Sequence, residues 1–213
     1  MNIGILGSGM VGKALATALV NKGHNVVIGT RDPGKLAEWA ATQGENLKIS
    51  SPSEAAQHAE IVLHATSGQA ALQALESAGA ENLKGKLVID ISNPLDFSKG
   101  FPPTLFVKDE DSLAEQIQRA FPEAKVVKTL NTLTADLMLN PGNLNGGDHT
   151  IFLSGNDQDA KNEARAFLES FGWQDIIDLG DITTARGTEM FLALWVRIYG
   201  SLGKAHFNIK IVQ

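Results

Sequence analysis

The chain has 213 residues, 43% hydrophobic and 20% charged, with 18 basic against 24 acidic side chains and a formal net charge of −6. That balance argues against nucleic acid as the main partner, so an anionic ligand must be held by local donors. Cysteine is absent, which removes disulfides, thiolate nucleophiles and cysteine-ligated metal, and no apolar stretch approaches the ~20 residues of a membrane span.

Apolar runs then alternate with helical patterns, as they do in βαβ units. Ile3 to Leu6 reads as a buried strand. A strand beginning at residue 2 leaves no room for a leader and sets the expectation of a cytoplasmic protein. Gly7-Ser8-Gly9-Met10-Val11-Gly12 follows, and Val11, Leu15 and Leu19 then fall on one helical face. Strand, G-x-G-x-x-G turn and helix form the setting in which this motif binds a dinucleotide. Gly7 permits the tight turn, Gly9 lets a pyrophosphate approach the backbone, and Gly12 lets the helix pack against the strand. The helix N-terminus offers unpaired N–H groups to the phosphates.

Asn25 to Gly29 is a second strand, ending in Thr30 and Arg31. A carboxylate at this strand end would suit the ribose hydroxyl of NAD. Thr30 and Arg31, with Lys35 close by, suit the 2′-phosphate of NADP instead. Asp32 competes with that reading but lies beyond the strand end, before Pro33.

The remaining elements are a short helix over Leu36 to Ala41, a strand over Leu47 to Ile49, and a helix starting at Ser53 with Glu54 in its first turn. A strand over Ile61 to Ala65, a helix over Gln69 to Ala78 and a strand over Leu87 to Asp90 follow. Asp96 to Asp111 is irregular; Ser112 to Ala120 is a helix with a capping-box pattern at Ser112 and Glu115. Lys125 to Thr129 is a strand, and Asn140 to Asp148 reads as a junction. Beyond it come a strand at His149 to Ser154, a helix at Ala160 to Phe171, a strand at Ile176 to Leu179 and a long apolar helix from Thr184 to about Gly203. The expected architecture is α/β: a doubly wound parallel Rossmann sheet over residues 1–147, with a small C-terminal α/β cap over 148–213.

Several residues carry less than they first suggest. His64 reads as a structural histidine, Lys128 as a solvated strand-end lysine, and His24, His58, His149 and His206 show no metal-ligand spacing. Lys204 and Asn208 match a K-x-x-x-N spacing by chance. Met190, Phe191, Leu194, Trp195, Ile198, Tyr199 and Leu202 form an apolar stripe too wide for one sheet edge, which predicts a homodimer.

Gly7 to Gly12 with Ile28 to Arg31, Ile91-Ser92-Asn93-Pro94-Leu95, Ser112 through Thr132, and Gly180 through Gly203 together resemble the NADP oxidoreductase family named for the deazaflavin coenzyme F420. The same pattern is similar to the cytosolic reductase domain of the STEAP metalloreductases. The resemblance covers nearly the whole chain and implies roles position by position. Gly7, Ser8, Gly9, Met10 and Val11 would hold the pyrophosphate, and Thr30 and Arg31 the 2′-phosphate. Thr66 and Ser67 would lie along the cofactor, Asn93 and Pro94 would border the nicotinamide, and Leu130, Asn131 and Thr132 would face the second substrate. One position departs from the archaeal deazaflavin-using members, which carry histidine where this chain has Asn131.

These readings lead to an NADPH-dependent reductase that passes hydride to a flavin-like, deazaflavin or other small conjugated acceptor. Hydride transfer asks little of side chains, because the cofactor carries the chemistry and the protein supplies placement. No residue stands out as an acid or base. The rival from another class is a sensor that binds NADP(H) without turnover; Asn93-Pro94 and Asn131-Thr132 at strand ends favour the enzyme, because a sensor needs only the cofactor half.

Overall fold

The structure is a computed structural model, and it describes residues 1–212. Short runs rich in Val, Ile and Leu form the strands: β1 (Asn2–Leu6), β2 (Asn25–Gly29), β3 (Leu47–Ser50), β4 (Ile61–His64), β5 (Leu87–Asp90), a two-residue pair β6 (Leu95–Asp96) and β7 (Thr104–Leu105), β8 (Lys125–Lys128), β9 (Thr150–Gly155) and β10 (Asp175–Asp178). The helices are α1 (Met10–Asn21), α2 (Ala37–Ala40), α3 (Pro52–His58), α4 (Ala71–Ala78), α5 (Ala80–Leu83), α6 (Leu113–Ala120), α7 (Ala135–Met138), α8 (Gln158–Glu169), α9 (Ala185–Met190) and α10 (Leu192–Leu202).

Eight strands make one sheet in the order β10-β9-β8-β5-β4-β1-β2-β3. Its stretch from β3 to β8 is parallel and has the doubly wound Rossmann order, with the reversal of strand order between β1 and β4. β9 runs antiparallel to β8, and β10 parallel to β9. β1, β2, β4, β5 and β8 are buried on both faces, so they read as continuous apolar runs rather than alternating ones. Alternate residues then feed two separate cores. Ile3, Ile5, Leu63 and Ile89 pack with Leu15 and Leu19 of α1 and Leu168 of α8. Leu6, Val62, Val88 and Val126 pack on the other face with α3, α4 and α6.

Some expected boundaries move for local reasons. The helix expected from Ser53 begins at Pro52, with Ser51 as its N-cap and Glu54 completing the capping box; proline suits the first helical position, whose N–H has no partner in any case. Ser112 does cap α6, accepting from the Glu115 backbone N–H at 3.1 Å, but the Glu115 carboxylate turns to Arg186. The apolar helix expected from Thr184 is preceded by a 3-10 turn at Ile182–Thr184 and divided at Phe191 into α9 and α10. α10 ends at Gly203, whose left-handed φ of 64° suits glycine. Asn140 to Asp148 holds two 3-10 turns, and the 148–213 stretch adds β9 and β10 to the edge of the common sheet. Its Ile151, Leu153, Leu168 and Trp173 share a core with Ile3 and Leu15. Among the described residues no helix is long and apolar enough to cross a membrane.

Candidate functional site

The glycine turn after β1 opens onto the carboxyl ends of the parallel strands. Gly7 has φ of 125°, a region closed to other residues, and a Cβ there would lie 2.5 Å from the Ala65 carbonyl oxygen. A Cβ on Gly12 would stand 2.0 Å from the Gly7 carbonyl oxygen, so that glycine permits the close seating of α1 beneath the turn. Gly9 is different: a Cβ on it would meet nothing within 4 Å, because it borders an open cleft. It is also the N-cap of α1, with no side-chain cap and no acidic residue in the first turn. The first N–H groups of the helix are therefore left for a ligand, and the helix dipole favours an anion there.

Two clefts meet at this point. The first, of about 220 Å³, is lined by Ser8, Gly9, Thr30, Arg31, Thr66 and Ser67 among others. Thr30 donates from its hydroxyl to Ser8 at 3.2 Å, tying the end of β2 to the glycine turn. Among the described residues no carboxylate lines this cleft. Asp32 points elsewhere, pairing with Lys35 at 3.3 Å in solvent. The second cleft, of about 410 Å³, is lined by Val11, Ile91, Asn93, Leu95 and Phe97, and it shares Ala65, Thr66 and Ser67 with the first. The pair gives one continuous path, with Arg31 and the helix N–H groups at one end and a largely apolar lining at the other. The donor set fits a phosphorylated dinucleotide: free helix N–H groups at the turn and an arginine where a carboxylate would repel a 2′-phosphate.

Of the sequence candidates, Gly7, Ser8, Gly9, Thr30, Arg31, Thr66, Ser67, Val11 and Asn93 line these clefts. Gly12 lies buried beneath them. Met10 is exposed and Lys35 stands with Asp32, both outside the lining. Pro94 is buried and accepts from the Phe106 backbone N–H at 3.0 Å. Asn131 is buried behind Asn93. Its amide donates to the Asn93 side chain at 2.9 Å and to the Thr188 carbonyl at 3.0 Å, while the Asn93 amide donates to its backbone carbonyl at 2.8 Å. Leu130 beside it takes a left-handed φ of 60°, a strained state for a leucine. Thr132 borders a separate apolar hollow with Phe152, Leu179 and Phe191.

The expectation of a solvated Lys128 is overturned, because sheet register decides its place. His64, Asp90 and Lys128 are the last residues of β4, β5 and β8 and stand opposite one another in the parallel ladders. All three are fully buried side chains on the α6 face of the sheet. The Lys128 ammonium donates to Asp90 at 2.8 Å and to the Ser92 carbonyl at 2.5 Å, and lies 2.9 Å from Glu189 of α9. Asp90 also meets His64 Nδ1 at 2.8 Å, and His64 Nε2 meets the Thr66 hydroxyl at 2.7 Å. Glu189 accepts from the backbone N–H groups of Leu113 and Ala114 at 2.7 and 3.0 Å, at the N-terminus of α6. Burial alone would raise the Asp90 carboxyl, but the Lys128 ammonium and His64 hold it well below the usual carboxylate range. Burial likewise pulls against the Lys128 charge, and Asp90 and Glu189 outweigh it, raising the ammonium above its ordinary value. Composition did not reveal this chain; a histidine, an aspartate and a lysine at or one residue before the ends of three expected strands were the available signal.

Comparison with known proteins agrees with this geometry. Residues 2–94 match the family model described as NADP oxidoreductase, coenzyme F420-dependent. A crystal structure from Arthrobacter sp. FB24, provisionally described as an F420-dependent NADP-reductase, is 53% identical, covers both chains in full and superposes with a TM-score of 0.96. The F420-dependent NADP reductase of Methanocaldococcus jannaschii is 28% identical over 92% of this chain and 91% of its own. Rat metalloreductase STEAP3 is 28% identical over 88% of this chain, which spans only 35% of that longer protein.

Proposed function

The chain belongs to the family of coenzyme F420-dependent NADP oxidoreductases, and we propose that it moves hydride between NADP(H) and a small conjugated ring acceptor seated in the second cleft. It is an NADP-dependent oxidoreductase; the acceptor and the roles of single residues are the proposed part. The observation that carries the reading is the continuous pair of clefts joined at Ala65 to Ser67, with Arg31 at one end and the apolar Val11, Ile91, Leu95 and Phe97 at the other.

When bound, NADP(H) supplies the hydride chemistry itself. The α1 N-terminus and Ser8 to Val11 receive the pyrophosphate. Thr30 and Arg31 receive the 2′-phosphate. Asn93, held from behind by Asn131, gives one wall of the ring site. The apolar Val11, Ile91, Leu95 and Phe97 would keep water from the reacting centres, and placing the two reactants together would account for most of the acceleration such a site can provide. In this reading the 148–213 stretch is a cap, whose α9 fastens onto α6 through Arg186 and Glu115 at 2.8 and 2.6 Å and through Glu189. Steady NADPH oxidation by a panel of acceptors tests the proposal; binding of NADPH with no turnover by any acceptor would leave only a sensor.

Deazaflavin is not expected to be obligatory. Asn131 stands where the resemblance implies a histidine in the archaeal members, and its amide N–H groups are engaged by Asn93 and Thr188. It offers the cleft no charge-stabilising or acidic group. Turnover with free flavin should equal or exceed that with deazaflavin, and efficient turnover with deazaflavin alone would refute this.

A homodimer is proposed through α10. Leu192 and Val196 of this helix are buried, whereas Leu194, Tyr199 and Leu202 remain 55%, 39% and 51% exposed. Two-fold pairing is the commonest way to cover such a face. Sedimentation at micromolar concentration should give twice the 22.7 kDa of one chain. A species of one chain's mass, with and without NADP, would show that the stripe needs no partner.

A further inference from the structure

The chain Glu189–Lys128–Asp90–His64 is sealed in the interior at one end and reaches the clefts at the other. Glu189 closes one end on the backbone N–H groups of α6. The other end stops at Thr66, which lines both clefts at their junction; Ser92, whose hydroxyl and backbone N–H donate to Asp90 at 2.7 and 3.1 Å, lines the second cleft as well. Stability is a poor explanation for such a chain, because desolvating several charges consumes most of what their attraction returns. What the chain does fix is the direction of each proton. An ionised Asp90 can only accept, so the proton on His64 Nδ1 points to it, at 2.8 Å. With the ring carrying that single proton, Nε2 has a lone pair and accepts a hydrogen bond from the Thr66 hydroxyl, at 2.7 Å. The Thr66 oxygen is left with lone pairs alone for the cleft.

We infer that this buried chain sets the polarity of the Thr66 hydroxyl, making it an acceptor for the O–H or N–H donors of the nicotinamide riboside half of the cofactor and not for its phosphates. His64 is then a positioning residue, acting through Thr66. The inference rests on the NADP reading above.

The test separates the two halves of the ligand. Titration calorimetry with NADP⁺ and with 2′,5′-ADP, which lacks the nicotinamide riboside and its 5′-phosphate, should split the variants. Thr66→Val and His64→Gln should each weaken NADP⁺ about 5- to 10-fold, the loss of one hydrogen bond. Both should leave 2′,5′-ADP unchanged within about twofold, since that ligand reads the turn and Arg31 and so reports an intact fold. Thr66→Ser should restore NADP⁺ binding. Nitrogen-15 NMR of the wild-type protein at pH 7.5 should show His64 as the neutral Nδ1–H tautomer. Equal weakening of both ligands, unchanged NADP⁺ binding, or a doubly protonated His64 would overturn the inference. A wild-type protein that binds neither ligand would remove the NADP reading and this inference with it.

Discussion

Replacing Arg31 by alanine should raise the dissociation constant of NADPH about 10- to 100-fold and leave that of NADH nearly unchanged. Arg31 borders the first cleft at the end of β2, and the position where a ribose-binding carboxylate would stand is empty of acid. A guanidinium on a phosphate forms charge-assisted, often paired hydrogen bonds worth about 1.5–3 kcal/mol. NADH lacks the phosphate, so it has nothing to lose. Arg31→Lys should recover only part of the affinity, because an ammonium keeps the charge but not the planar fork. Lys35 lies outside the cleft lining and pairs with Asp32 at 3.3 Å in solvent, so most of the contact is expected from Arg31. Fluorescence titration of the two cofactors reads the effect directly. Equal losses for both, or a wild-type preference for NADH, would mean that the 2′-phosphate is not held at the end of β2.

The glycine turn and the first cleft were legible because they are local. Gly7, Gly9 and Gly12 answer to the backbone of one turn, and Arg31 follows its strand without interruption, so short-range pattern suffices. The opposite half depends on contacts between distant segments. Asn131 meets Thr188 across 57 positions, and Glu189 meets Leu113 across 76. No periodicity announces such pairs. The sheet shows the same division. Its parallel stretch followed from alternating strands and helices, but the antiparallel seating of β9 on β8 did not, because a strand pattern carries no direction. Lys128 was misplaced by a sound general preference. Lysines at strand ends are usually solvated, and only the register of β5 and β8, which sets it opposite Asp90, overrides that.

Lys128→Met should be the most destabilising single change here, at about 3–5 kcal/mol at neutral pH. Methionine fills much the same volume, so the cost is electrostatic. Asp90 and Glu189 would remain in the interior with their shared cation gone. That loss is a large share of the roughly 5–15 kcal/mol that holds a domain folded. Its pH dependence identifies the cause. In the wild-type protein the Asp90 carboxyl lies below its ordinary value. Its contribution is therefore present above the unfolded value near 4 and is lost only as the solution becomes strongly acidic. Without Lys128, burial dominates and raises the carboxyl above the unfolded value; the penalty is then present at high pH and fades as acid protonates the group. Denaturant unfolding at pH 7.5 and at pH 5 should accordingly show a smaller gap between variant and wild type at the lower pH. Neutralising all three groups, as Asp90→Asn, Lys128→Met and Glu189→Gln together, should recover most of the stability, because no buried charge is then left unpaired. A loss under about 1 kcal/mol for Lys128→Met, the range of an exposed pair, would show that solvent reaches this chain. A gap that widens toward acid would show that the missing cation is not what the variant suffers from.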